Sequence, residues 1–372
     1  MNSTQHIDIA QTTETTIFEK KDLIFIAIAV FIAGWIVKIP RLIHMEDDLF
    51  IARNISFIVF PILILYFTWK KNIPYKTLLI PASITALSAI FINLLPANEM
   101  SNTLMLSTMH LPILIWSLVG FSFTGNNLKN VAERVSFLRF NGDLVVMSTV
   151  MVLACALFTV ITIGLYDLIK IDIRNFYIDY VVTWGLPAIP IIATVLVINN
   201  PNLVGKVSPI IAKIFTPFIF ISLAIFLGAI FATKKDPFND REFLVVFNAL
   251  LIGVMAIILF SISEASKGRN NKIQLLFLAG LSILTIIVNG IALSAIAFRI
   301  IEFGITPNRM AVLGSNMLMF IHLITIAYQL LNLLNKKSDI TEVEKTIAKY
   351  LPAYTAWTAV VVFVFPIVFG NK

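Results

Sequence analysis

An all-α, polytopic transmembrane bundle of about eleven spanning helices is the fold this sequence predicts, and three observations predict it. Hydrophobic residues make up 58% of the 372-residue chain and charged ones only 13%, against roughly 45–50% and 25% in soluble domains. Apolar runs recur near the length of ~20 residues that a helix needs to cross a bilayer core. Lys and Arg gather in every second intervening segment, as they do in the cytoplasmic loops of inner-membrane proteins.

Residues 1–22 read as a polar N-terminal tail and 23–372 as a single multi-pass domain. The stretch 1–16 is rich in Thr and Gln and lacks any apolar period, which predicts disorder. Lys20 and Lys21 precede the first apolar run, 23–37. No small-residue cleavage site follows it, so it reads as a retained helix rather than a signal peptide. Further spans fall at 51–69, 78–95, 104–123, 144–166, 180–198, 210–231, 243–262, 273–298, 310–334 and 354–369.

With the N-terminus inside, inner segments hold 17 of the 28 basic residues and 10 of the 21 acidic ones, so the whole formal excess of +7 lies on that face. An odd span count then puts the C-terminus outside, in a bacterial inner membrane. The basic balance reflects topology, so the bilayer is the expected partner and nucleic acid is not. Cys155 is the single cysteine, and His6, His44, His110 and His322 lie far apart. Neither a disulfide nor a metal cluster is expected, and no phosphate-binding Gly-rich loop or other cofactor motif is present.

Two inner segments carry helical periods of their own. In 126–139, Leu128, Val131, Val135 and Leu138 repeat at helical spacing, with Lys129 and Glu133 four apart. In 338–351, Ile340, Val343, Ile347 and Leu351 do so, and Thr341 with Glu344 fits a capping box. Both are predicted to lie as interfacial helices on the inner leaflet, with docking of a partner protein as the alternative. Of the outer loops, 44–48 offers His44, Glu46, Asp47 and Asp48, read as a solvated loop tip or as metal ligands. Tyr166, Tyr177 and Tyr180 suit an interfacial aromatic belt.

Polar groups inside the spans are few. Gly185, Pro187 and Pro190 interrupt one span at mid-depth, either as a kink or as the broken helix from which transporters build a central site. Asn93, Asn289, Asn316, His322 and Gln329 must find partners between helices, and His322 has the chemistry for a proton relay. No span carries Asp or Glu near its centre, which argues against coupling to cations through a buried carboxylate.

The segment 298–316 is a charged hinge between two long apolar runs. Arg299 and Glu302 are neighbours on the last turn of one helix. Gly304 provides the exit, and Thr306 with Pro307 fits the N-cap and first position of the next. Arg309 then opposes the new helix's dipole, so pairing with Glu302 is expected. Arg299, Glu302, Arg309 and Asn316 together form a candidate substrate site for a small or lipid-linked anion; the alternative is a polar surface turn whose arginines meet lipid phosphates.

The run Phe303, Gly304, Ile305, Thr306, Pro307, Asn308, Arg309 resembles the G-[IL]-T-x-x-R signature segment of a family of bacterial multi-pass membrane proteins defined by a domain of unknown function. The resemblance implies fold and location, and brings no activity. A permease-like protein is the first functional reading. A membrane-embedded transferase using Asp172, Asp236 or Asp240 on a lipid-linked substrate is the second, and a non-catalytic partner or sensor subunit the third.

Overall fold

The computed structural model describes residues 18–42, 47–98, 100–125, 127, 130–202, 205, 207–233, 241–265 and 272–370. Among these, eleven helices are long and apolar enough to cross a membrane. They are α1 (Lys20–Leu42), α2 (Asp47–Lys70), α3 (Tyr75–Leu94), α4 (Asn102–Phe123), α5 (Val131–Leu168), α6 (Arg174–Asn199), α7 (Val207–Thr233), α8 (Arg241–Ala265), α9 (Lys272–Phe303), α10 (Pro307–Leu334) and α11 (Ile340–Phe369). No strand occurs among the described residues. By length and composition this is an integral, multi-pass membrane protein, built from the one open-ended element that bonds its backbone polar groups within the segment, as lipid offers them no partner.

Helix ends are marked by the residues that physical chemistry favours there. Ser101, Asn130 and Thr306 accept from backbone amides as N-caps of α4, α5 and α10, satisfying donors a helix start leaves open. Just past the end of α9, Gly304 has a positive φ of 79°, which a side chain would resist.

Side-chain links sort the helix ends into two faces. Asp22 on α1 meets Lys70 on α2 and Asn199 on α6, and Lys71 meets Glu133 on α5. Opposite them, Arg41 pairs with Asp179, Asn308 donates to Asn102, and Thr103 donates to the Gly370 carbonyl. Each link joins residues assigned to the same side by the alternation of charge. The first set lies on the basic face.

Two packed groups make up the bundle. One core is built from α2 to α6 around Phe67, Leu111, Ile115 and Phe140, and the other from α7 to α11 around Phe247, Ile258, Leu278 and Ile326. Two helices belong to both. The start of α11 places Val343 and Ile347 in the second core, while Val362 near its end is in the first. At about 57 Å for 38 residues, α5 outruns a hydrocarbon core of ~30 Å. Its segment 131–143 is wedged against the second group, and its remainder carries a lipid-exposed surface that includes Val150, Leu153, Leu157 and Val160.

That arrangement corrects the interfacial helices. Segment 338–351 is the opening of α11, with Val343, Ile347 and Ala348 buried in protein, and 131–139 opens α5, with Val135 and Phe137 buried. A stripe of aliphatic residues serves a protein groove as well as a leaflet, and here the neighbouring helices supply the groove. The capping box is replaced too: Asp339 is the N-cap and accepts from the Glu342 amide at 3.0 Å. Lys129 lies outside the described residues, and Glu133 pairs with Lys71 at 3.0 Å.

The broken helix is likewise absent. Thr183–Asn199 is a continuous α-helix through Gly185, Pro187 and Pro190. The irregularity lies just before it, as a π-turn at Tyr177–Val182. Pro187 and Pro190 have no N–H for the carbonyls four residues back, yet buried packing on this stretch holds the helix together. Trp184 sits so close to Gly34 on α1 that a Cβ there would approach its ring to 2.5 Å.

Candidate functional site

The hinge folds as expected except in its ion pairing. Thr306 Oγ1 accepts from the Arg309 amide at 3.3 Å, and Pro307 opens α10. Arg309 does not pair with Glu302. Its Nη1 donates to the carbonyls of Phe303 at 2.8 Å and Gly304 at 2.6 Å, and the guanidinium lies 5.6 Å from the Phe303 ring centre. Those carbonyls are the negative end of the α9 dipole, so the charge that opposes one helix start completes another helix end. Glu302 remains exposed.

Arg299 is the cation of this set that has no hydrogen-bond or charged partner among the described residues. It is half-buried on the last turns of α9, and its Nη1 is shielded from solvent with no hydrogen-bond partner among the described residues. Arg53 shows the contrasting case on the same face. It is buried, and its two terminal nitrogens donate to the carbonyls of Asn93, Leu95 and Pro96 where α3 ends.

Asn316 does not join the arginines. Seven positions beyond Arg309, it sits about 10 Å further along α10, where its Nδ2 donates to Asn248 Oδ1 on α8 at 2.7 Å. Its backbone oxygen accepts from Asn289 Nδ2 on α9 at 3.1 Å. The candidate anion set thus divides into a surface part, Arg299, Glu302 and Arg309, and a buried asparagine cluster. In the first helix group, Asn93 forms a reciprocal amide pair with Asn54 at 2.8 and 3.1 Å.

His322 also lies on α10 but serves α11. Its ring stacks on Tyr350 with centroids 4.2 Å apart, and Nδ1 lies 2.9 Å from the Tyr354 hydroxyl. The residue is fully buried, with Nε2 unpartnered. A proton relay needs a second partner for that nitrogen, and none of the described residues supplies one.

The sequence reading missed a polar junction on the basic face where the two helix groups meet. Arg139 on α5 ion-pairs with Glu344 on α11 and donates through Nε to the Ser263 carbonyl on α8 at 2.8 Å. Arg134 donates to the Ala348 carbonyl at 2.9 Å. Ser208 on α7 donates to Asp143 on α5 at 2.5 Å. Gly142 admits Phe260 of α8 where a Cβ would come within 2.1 Å of the ring. One signal for this junction was available: Glu344, four residues after Ile340 and three before Ile347, lies on the apolar stripe itself. A carboxylate there calls for a cationic protein partner rather than lipid.

An open apolar groove of about 480 Å³ along α3, beside α11, is lined by Ile84, Leu87, Ile90, Phe91, Leu94 and Phe363. Its walls suit lipid chains. Of the carboxylates considered for catalysis, Asp172 accepts from the Arg174 amide at 3.0 Å, while Asp236 and Asp240 lie outside the described residues, as do His44 and Glu46. Tyr177 is buried, with Thr159 donating to its hydroxyl, so Tyr166 and Tyr180 alone suit the aromatic belt. No group of His, Cys, Asp and Glu able to hold a metal occurs among the described residues. The chain matches no family model, no curated protein and no solved structure.

Proposed function

We propose that this is a permease-like protein of the bacterial inner membrane that handles a small or lipid-linked anion at the face opposite its basic face. The observation that carries the reading is Arg299. A guanidinium that is half-buried at a membrane surface and lacks a counter-charge among the described residues is costly unless an anion or water completes it, and phosphate matches its forked donors. Arg309 is committed to helix carbonyls, so it holds the hinge in shape and Arg299 does the binding. The two-group architecture supports movement of one group against the other, with the Arg139 and Glu344 junction as the basic-face contact that would have to part. The likeness of 303–309 to the signature segment of the membrane family supports fold and location.

The test uses purified protein. Inorganic phosphate is followed by thermal shift, and phosphatidylglycerol by native mass spectrometry. At least one of these anions should bind saturably, and Arg299→Ala should weaken that binding by roughly tenfold or more while Glu302→Ala does not. Phosphate alone would indicate a soluble substrate, and retention of the lipid alone a lipid-linked one. Binding of neither, or equal binding by Arg299→Ala, would sink the reading.

A further inference from the structure

Four side-chain contacts join the second half of α1 to the start of α6, and they descend in polarity from the helix ends inward. Arg41 Nη1 pairs with Asp179 at 2.6 Å. About one turn deeper, Lys38 Nζ lies 3.7 Å from the centre of the Tyr180 ring. Below that, Trp184 meets Trp35 and then Phe31, with ring centres 6.2 and 5.7 Å apart. Phe31, Trp35 and Lys38 follow at spacings of four and three, so they share one face of α1. Phe31, Trp35 and Tyr180 are exposed, and the seam therefore looks outward from the bundle. A lysine near the end of a span ordinarily reaches its ammonium out to water. Lys38 instead is half-buried and held over an aromatic ring. Its ammonium has three donors, and among the described residues no oxygen accepts from it.

We propose that this seam binds one anionic phospholipid from the leaflet on the face opposite the basic face. Lys38 Nζ takes the phosphate, and the rings of Trp35, Phe31 and Trp184 form the wall along which an acyl chain lies. Charge selects the headgroup. Arg41 and Asp179 cancel each other, so Lys38 leaves one positive charge at the seam, and a zwitterionic lipid would set its own cation against it. Depth selects a lipid over a free anion. From Phe31 to Arg41 the seam runs ten positions, about 15 Å, which is the thickness of one leaflet of a ~30 Å hydrocarbon core. A soluble phosphate would cover only its top and leave the exposed rings bare. The protein builds this surface deliberately: Asp179 and Tyr180 both sit on the π-turn at Tyr177–Val182, a helix irregularity that recurs at functional sites, and Trp184 is seated in the notch left by Gly34. The site is separate from the anion reading at Arg299, and either can fail alone.

The experiment places the purified protein in phosphatidylcholine vesicles doped with phosphatidylglycerol or phosphatidylcholine whose chains carry bromine, which quenches tryptophan fluorescence on contact. Brominated phosphatidylglycerol should reach half-quenching at a mole fraction about fivefold lower, the worth of one basic group beside an anionic headgroup. Lys38→Gln should erase that preference, whereas Lys38→Arg and Arg299→Ala should keep it. Replacing Trp35 and Trp184 together by Phe should remove the excess quenching, since those two rings line the seam. Equal quenching of the unaltered protein by the two lipids would overturn the proposal and leave ordinary boundary lipid at this surface. So would an excess that survives Lys38→Gln or the paired tryptophan replacement, because the anionic lipid would then sit elsewhere. The comparison on the unaltered protein needs no variant to fold.

Discussion

Arg139 on α5 and Glu344 on α11 form an ion pair in which the carboxylate side chain is 9% exposed and the guanidinium 26%. The pair closes the basic-face junction between the two helix groups, and the same arginine ties α8 through the Ser263 carbonyl. Removing one partner strands a shielded charge, which costs up to about 3–5 kcal/mol. Arg139→Ala and Glu344→Ala should each lower the melting midpoint and the yield of folded protein. The double variant should do less harm than the two singles added, as read by a double-mutant cycle. Additive losses would mean the pair is solvated.

The opening of α11 distinguishes a protein-buried stripe from a lipid-facing one. Ile347 is 1% exposed and packs in the second core, so Ile347→Ala should cost about 2–5 kcal/mol. Lys349 on the exposed side of the same helix should tolerate alanine within about 0.5 kcal/mol. Equal, small effects at both positions in thermal melts would return the segment to the membrane surface.

At the hinge, Arg309→Ala should cost about 0.5–1.5 kcal/mol, the worth of hydrogen bonds to the α9 carbonyls, and Glu302→Ala next to nothing. The two effects should be independent when combined. A coupling between them would restore the ion pair that the backbone contacts of Arg309 replace.

Eleven helices and their alternation were legible because hydropathy and loop charge are properties of segments, and each span is long enough to average out local exceptions. Turn chemistry was legible for the same reason that it is local: Gly304, Thr306 and Pro307 take the roles their types dictate. Partner choice was not. Arg309 had Glu302 within reach in sequence, but the Phe303 and Gly304 carbonyls lie on the path its side chain takes back across the turn. The stripe at Val343 and Ile347 has one pattern for leaflet or groove, and only the neighbours in space decide between them. Asn316 was recognisable as a buried polar group, whereas its partners Asn248 and Asn289 sit on other helices at distances no local pattern encodes.

The charge alternation predicts a topology that a fusion can test. A C-terminal alkaline phosphatase fusion should be active in a bacterial host and a C-terminal cytoplasmic reporter silent, since eleven spans starting inside finish outside. The reverse result would place the basic face outside.

The end of α11 carries the most specific prediction. Pro366 has no N–H to offer the carbonyl of Val362 one helical turn back, and the π-turn at Val360–Val364 immediately precedes it. Ser107 on α4 supplies the missing donor, with Oγ 3.1 Å from the Val362 oxygen, and both residues are fully buried. Ser107→Ala therefore leaves a fully buried carbonyl unsatisfied, costing about 1–3 kcal/mol. In a Pro366→Ala background the backbone regains an N–H, so the same serine change should cost markedly less there. Any packing loss from removing the proline ring is common to both arms and cancels in the cycle. Equal cost in the two backgrounds, measured by thermal melts, would show that the serine acts through packing rather than by completing the helix that the proline interrupts.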